Sequence, residues 1–182
     1  MGDRTMWNTL SRMLHTGLLT EPLPKGNETQ PMLEGTPPET LQHNLLGVMG
    51  RALCIRHADA GSCNGCELEI QALGNPYYNL EGAGIKFVAS PRHADLLLVT
   101  GPVSVNMEEA LKRTYEAMPE PKMVIALGDC GACGGVFGNS YASRGGVANV
   151  IPVNKTVPGC PPSPSAILGG ILDLIRLGVD EA

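Results

Sequence analysis

The sequence predicts an α/β domain built on an open parallel sheet with helices on both faces, preceded by an irregular N-terminal extension. Three observations carry that expectation. The runs "ADLLLVTG" (94–101) and "KMVIALG" (122–128) are apolar almost throughout, as in strands covered on both faces. Helix-patterned segments alternate with such runs, as crossover connections require. Glycine (23) and proline (15) are abundant while aromatics reach only 4%, which fits many tight turns better than a helical bundle.

The extension covers residues 1–50. Met6, Leu10, Met13, Leu14 and Leu18 fall near helical spacing beside Trp7. They read as a short helix docked on a neighbouring subunit or on the chain's own core, in preference to one lying on a membrane surface. "TEPLPKGNETQPMLEGTPPET" (20–40) is too rich in proline and glycine for a regular element and is expected to run extended.

The α/β domain covers residues 51–182. "ALCIRH" (52–57) reads as a short strand, and "CELEIQALG" (66–74) as a helix closed by Gly74. "IKFVAS" (85–90) and "ADLLLVTG" follow as strands. "NMEEALKRTYEAM" (106–118) is a helix, with Asn106 as cap, Glu109 at the capping-box position, a Glu108–Lys112 pair and Pro119 ending it. "KMVIALG" is a buried strand and "VIPVN" (150–154) a short one. "SPSAILGGILDLIRLG" (163–178) closes the chain as a helix, capped by Ser163, with Pro164 in the first turn and Gly178 past the end.

Composition narrows the function classes. A net charge of −5 and the lack of any basic run argue against nucleic acid, whose phosphates require a basic face. There is no secretory signal and no apolar run approaching the roughly 18 residues of a membrane span. The nearest, residues 166–178, is shorter and carries Asp173 and Arg176. Six cysteines without such a signal suggest a reducing compartment, hence thiols or metal ligands.

Cysteines follow three of the strands: Cys63 and Cys66 after the first, Cys130 and Cys133 after "KMVIALG", Cys160 after "VIPVN". Open α/β sheets form sites beyond the carboxyl ends of their strands, so these loops are expected to meet at one edge. Cys63 and Cys66 stand three apart at a helix start, where free N–H groups favour thiolates. Four thiolates suit tetrahedral zinc or an iron–sulfur cluster. Gly131, Gly134, Gly135 and Gly159 would let backbone N–H groups approach a cluster, and Pro161 after Cys160 matches the Cys-Pro ending of cluster-binding runs. Two C-x-x-C knuckles around zinc and a redox dithiol remain as alternatives. Cys54, inside a strand, reads as a core residue.

"GSCNGCELEI", "SPRHADLLLVTGPV", "GDCGACGG" and "PGCPPSP", in this order, resemble the small subunit of [NiFe] hydrogenases and the 20-kDa subunit of respiratory complex I, over residues 51–177. The resemblance implies a flavodoxin-like fold and one [4Fe–4S] cluster at the contact with a large subunit. It implies Cys63 and Cys66 as the first ligand pair, Cys130 as the third ligand and Cys160 as the fourth. Cys133 falls where such proteins usually carry a small residue, which leaves it a spare or alternative ligand. Asn64 and Gly65 separate the first pair as in hydrogenases, whereas complex I sets that pair side by side.

A one-cluster chain without a signal looks most like the membrane-bound, energy-converting group, such as formate hydrogenlyase and hydrogenase-4. The implied role is an oxidoreductase subunit that relays electrons between ferredoxin-like subunits and a nickel–iron site in the large subunit, with no catalytic residue of its own. Integral membrane subunits would hold it at the cytoplasmic side of the cell membrane as a peripheral component. The alternative within the family is a complex I-like subunit passing electrons toward quinone or a non-hydrogenase partner. Glu67, next to Cys66, reads as an exposed or capping carboxylate in preference to a proton carrier. Arg56 and His57 are candidates for tuning the cluster, for touching the large subunit or for a strand-end salt bridge.

Overall fold

The structure is a computed structural model that describes residues 50–180. The helix expected over residues 6–18 and the extended segment over 20–40 lie outside the described residues. Five strands form one sheet: β1 (Leu53–Asp59), β2 (Ile85–Phe87), β3 (Leu96–Thr100), β4 (Met123–Leu127) and β5 (Lys155–Val157). Their order is β2-β1-β3-β4-β5, and every pair is parallel. This is the flavodoxin-like arrangement that the sequence implied.

Parallel pairing requires crossovers, and helices supply most of them. Helices α1 (Gly65–Ala72) and α4 (Pro164–Asp180) cover one face. There Ile70, Leu73, Ile167 and Ile171 pack on Leu53, Ile55, Leu96, Leu98, Ile125 and Leu127. Helix α2 (Val105–Glu116) covers the other face, where Leu111 joins Leu97, Val99, Val124 and Ala126. All five residues of β3 are buried, which accounts for its unbroken apolar run. A helix of 6 residues, α3 (Gly128–Cys133), follows β4 at once.

Several boundaries differ from those read in the sequence. The last strand lies at Lys155–Val157 rather than over residues 150–154. Pro152 has no N–H to give a ladder. Asn154 instead meets the head of β4 twice: its N–H donates to the Val124 carbonyl (3.0 Å), and its Oδ1 accepts from the Val124 N–H (2.8 Å). Helix α2 begins after Ser104, not after Asn106. Ser104 is pinned by its N–H to the Ala60 carbonyl at 2.8 Å and by a bridge to Ser143, and its carbonyl takes the first helical bonds. Glu109 therefore pairs with Arg113 (2.8 Å) instead of closing a capping box, while Glu108 reaches Lys112 at 2.8 Å as expected and also Arg144 at 2.7 Å. "IKFVAS" keeps only its first three residues as strand, and α4 continues through Gly178 to Asp180. Ser163 caps α4 as expected, its Oγ accepting from the Ala166 N–H at 3.3 Å.

At the edge of the sheet where β3 begins, Asp95 is buried and ties β1 to β3. Its Oδ2 accepts from the Cys54 N–H (3.0 Å), its own N–H donates to the Cys54 carbonyl (2.8 Å), and Arg51 pairs with its Oδ1. Asp95→Ala strands the Cys54 N–H and should cost about 1–3 kcal/mol. Thermal unfolding should show the melting temperature falling by roughly 3–10 °C; an unchanged melting curve would refute this role.

Candidate metal centre

Strand register builds the site. Asp59 lies opposite Thr100, Thr100 opposite Leu127, and Leu127 opposite Val157. The carboxyl ends of β1, β3, β4 and β5 thus stand in one row, and the loops bearing Cys63, Cys130 and Cys160 leave from it. Asp59 folds the first loop back, its Oδ1 accepting from the N–H groups of Gly61 (2.8 Å) and Ser62 (2.7 Å). Cys66 then falls in the first turn of α1, and Cys130 on α3.

These loops close on one another. A side chain at Gly65 would lie 3.5 Å from Cys63 Sγ and 3.9 Å from Pro161, beside Cys160. One at Gly128 would press on Cys66 Sγ at 2.9 Å and on the Gly159 carbonyl at 3.2 Å. One at Gly135 would press on Cys130 Sγ at 2.8 Å. Both contacts are closer than a Cβ tolerates, so these two positions leave the sulfurs room that any other residue would fill. Gly131 is buried against the backbone of Val99 and Ala126, and so seats α3 on the sheet. Gly134 ends α3, its N–H donating to the Cys130 carbonyl at 2.8 Å.

Cys66 is buried, Cys130 half-buried, and Cys63 and Cys160 exposed. Burial, then Glu67, then the other three thiols push the Cys66 thiol up to about 11. Burial, then Cys160 and Cys63, raise Cys130 likewise. Cys66 thus feels the other three and Cys130 two of them, and such a group suits a cationic centre that replaces the thiol protons. Cys133 is exposed, and its thiol donates to the Asp129 carbonyl at 3.2 Å. Cys54 stays within β1, near the end remote from these five.

All-sulfur donors suit zinc or iron–sulfur. Four thiolates on one zinc, each about 2.3 Å from it, stand about 3.8 Å apart. Among the described residues, no three histidine, cysteine or acidic side chains are set closely enough to hold a single ion. An iron–sulfur cube brings its own sulfides and spreads its thiolates more widely, which suits three segments meeting around glycines.

Two polar arrangements border the thiols. Asp129 joins the Cys130 segment to the Cys160 segment: its N–H donates to the Gly159 carbonyl (2.9 Å), and its Oδ1 accepts from the Gly159 N–H (2.8 Å). Glu67 is buried rather than exposed. Ser62 donates to its Oε2 at 2.6 Å, Thr100 donates to its Oε1, and His57 Nε2 lies 3.7 Å from Oε1 and 3.0 Å from Thr100 Oγ1. Ser62 Oγ also accepts from the Asn64 N–H at 3.0 Å, so Glu67 supports the start of α1 through Ser62. His57 thus makes the carboxylate contact foreseen at the strand end. Arg56 points from the opposite face of β1 and makes no ion pair among the described residues.

Beside the thiols the surface is apolar. Leu68 follows Cys66 by two residues, and Val136 and Phe137 follow Gly135. These three and Tyr141 are exposed, Val136 and Tyr141 almost fully (97% and 98%).

The profile of the NADH ubiquinone oxidoreductase 20 Kd subunit family matches residues 63–174. The chain is 49% identical to the probable membrane-bound hydrogenase subunit mbhJ of Pyrococcus furiosus, over 68% of this chain and 74% of that one. It is 43% identical to formate hydrogenlyase subunit 7 of Escherichia coli, over 72% of this chain and 51% of that one. Among solved structures it is similar to a chain of the membrane-bound sulfane sulfur reductase, an archaeal respiratory membrane complex. That match has a TM-score of 0.63 and 32% identity, covering 80% of this chain and 77% of the other.

Burial lowers the pKa of His57, outweighing Glu67 and Asp59, which raise it; Arg56 lowers it further. The unfolded chain therefore binds this proton more readily. Stability from His57 is present above the ordinary imidazole pKa of about 6.5 and is lost as pH falls below it. The urea midpoint should drop on acidification through that range, and His57→Gln should flatten the drop. A midpoint that rises instead, or a slope His57→Gln leaves intact, contradicts the assignment.

Proposed function

The chain belongs to the NADH ubiquinone oxidoreductase 20 Kd subunit family, and we propose that it is the electron-relaying small subunit of a membrane-attached [NiFe] hydrogenase complex. In this reading it carries one [4Fe–4S] cluster on Cys63, Cys66, Cys130 and Cys160. The observation that supports it most is the convergence of these four thiols at one sheet edge, with Gly128 and Gly135 thinned against two of the sulfurs. The four thiolates would hold a group that supplies one-electron transfer with little rearrangement.

The chain's own residues then have separate tasks. The four thiolates hold the iron. Parallel register and the Asp129–Gly159 pair fix the loops that bear them. Glu67, Ser62 and Thr100 hold the start of α1 and keep water from the buried Cys66 side. Leu68, Val136, Phe137 and Tyr141 offer an apolar surface to the large subunit, which would bear the nickel–iron site. Ferredoxin-like subunits would exchange electrons with the cluster. No helix among the described residues is long and apolar enough to cross a membrane; integral membrane subunits would hold the assembly, at the cytoplasmic face in this reading.

A second reading is a complex I-like subunit whose partner does not activate hydrogen. The 32% identity to a sulfane sulfur reductase chain over 80% of this chain favours keeping it. Hydrogen evolution by the purified complex, with nickel in the large subunit, decides for the first reading; sulfane sulfur or quinone reduction without nickel decides for the second.

Anaerobically purified protein should hold about four irons and as many acid-labile sulfides per chain. Cys160→Ser should lower that content at least severalfold, whereas Cys133→Ser should leave it unchanged. Iron-free wild-type protein, or an intact cluster in Cys160→Ser, counts against the ligand set.

A further inference from the structure

We propose that Asp129 is a positioning residue for the cluster, holding the Cys130 and Cys160 segments at a set separation. The inference rests on the cluster reading above and extends it to a residue that is not itself a ligand. Asp129 and Gly159 each stand one residue before a proposed ligand, and they are 30 residues apart in sequence. They exchange two hydrogen bonds, one from the Asp129 N–H to the Gly159 carbonyl at 2.9 Å and one from the Gly159 N–H to Asp129 Oδ1 at 2.8 Å. Among the described residues these are the only hydrogen bonds joining the two ligand segments.

An acidic residue in the first turn of a helix is ordinarily explained by the helix dipole or by capping. Asp129 does neither as its main task. The N-cap of α3 is Leu127, without any side-chain cap hydrogen bond, and the carboxyl oxygen is engaged by another loop. The Gly128 site brings Cys66 Sγ and the Gly159 carbonyl to the same spot, so a third ligand leans on this junction. Strand pairing ends at Leu127 and Val157, and beyond it the Asp129 backbone bond is a single point of attachment. The side-chain bond adds a second point of attachment and stops rotation about the first. Cys130 and Cys160 are then set for their irons before metal arrives, and neither can swing off once it is bound.

The chemistry needs an acceptor oxygen at this distance, not a charge. That separates Asp129→Asn, which keeps the oxygen, from Asp129→Ala, which lacks it, and from Asp129→Glu, which keeps the charge but displaces the oxygen by one methylene. The full-length variants are purified anaerobically with their companion subunits. Iron and sulfide content, the reduced-state EPR spectrum and the rate of iron removal by an excess of ferrous chelator are measured. Asp129→Ala should release iron about tenfold faster than wild type, the scale of one lost hydrogen bond. Its EPR spectrum should change, because two ligands are re-aimed. Asp129→Asn should stay within about twofold of wild type and keep its spectrum.

Should the Ala variant not accumulate, Asp129→Glu takes its place and should lose iron faster than Asp129→Asn. Wild-type protein without iron and sulfide overturns the cluster reading itself. A wild-type cluster together with an Ala variant as slow as wild type, or with an Asn variant as labile as Ala or Glu, overturns the role of Asp129 alone.

Discussion

Everything at this site depends on parallel strand pairing. In an antiparallel sheet, successive strands end at opposite edges, and residues as remote as Cys63 and Cys160 would need long loops to meet. Here each strand runs the same way, and its return is taken by a crossover on one face or the other. The register then does the rest. Asp59, Thr100, Leu127 and Val157 form a row, so three loops start from nearly one level. Short lengths between strand end and cysteine leave little freedom to lose. Leu127 to Cys130 and Val157 to Cys160 span one turn each, and the Asx-type turn at Asp59 shortens the remaining loop.

The same convergence creates an electrostatic problem. Four thiols, Glu67, Asp59 and Asp129 gather at one edge, and burial alone already raises two of the thiols. Without a counter-charge, ionising all four at neutral pH is unfavourable. A fold optimised only for stability would not place acids beside buried sulfurs. A metal centre of the kind proposed would take the place of the thiol protons and so relieve the cost of ionising the sulfurs. Glu67 is also engaged on both oxygens by hydroxyl donors, which stabilises its carboxylate in place.

How much of this was legible beforehand depends on the range of the interaction. The sheet and both helical layers were, because β3 and α2 carry patterns that local burial alone dictates. The meeting of the cysteine loops was also legible, since the crossover rule needs no coordinates. Boundaries that depended on remote partners were not. Asn154 takes its place from Val124, 30 residues away, and Ser104 from Ala60 and Ser143. Glu67 looked like a helix-start carboxylate, and nothing in its neighbours hinted at Thr100. Asp129 passed unnoticed for the same reason, its partner Gly159 being two elements away. A local signal did exist for the α3 turn: Leu127 ends a strand and "GDCGACGG" resumes at once, leaving no room for a loop.

One buried, one half-buried and two exposed thiols place the site on a boundary, not in a core. Cys66 and Cys130 are the more enclosed, Cys63 and Cys160 are exposed, and exposed Leu68, Val136 and Phe137 lie within a few residues of Cys66 and Cys133 in the chain. A lone chain would leave these apolar groups in water, at a cost that scales with their area. A partner that covers them recovers that cost and removes water from the outward thiolates in the same step. Desolvation disfavours added negative charge, so docking would move a bound cluster toward more negative potentials, the direction hydrogen chemistry requires. Association and tuning would then be one event: the surface that recognises the partner would also be the surface that completes the electrostatic environment of the relay.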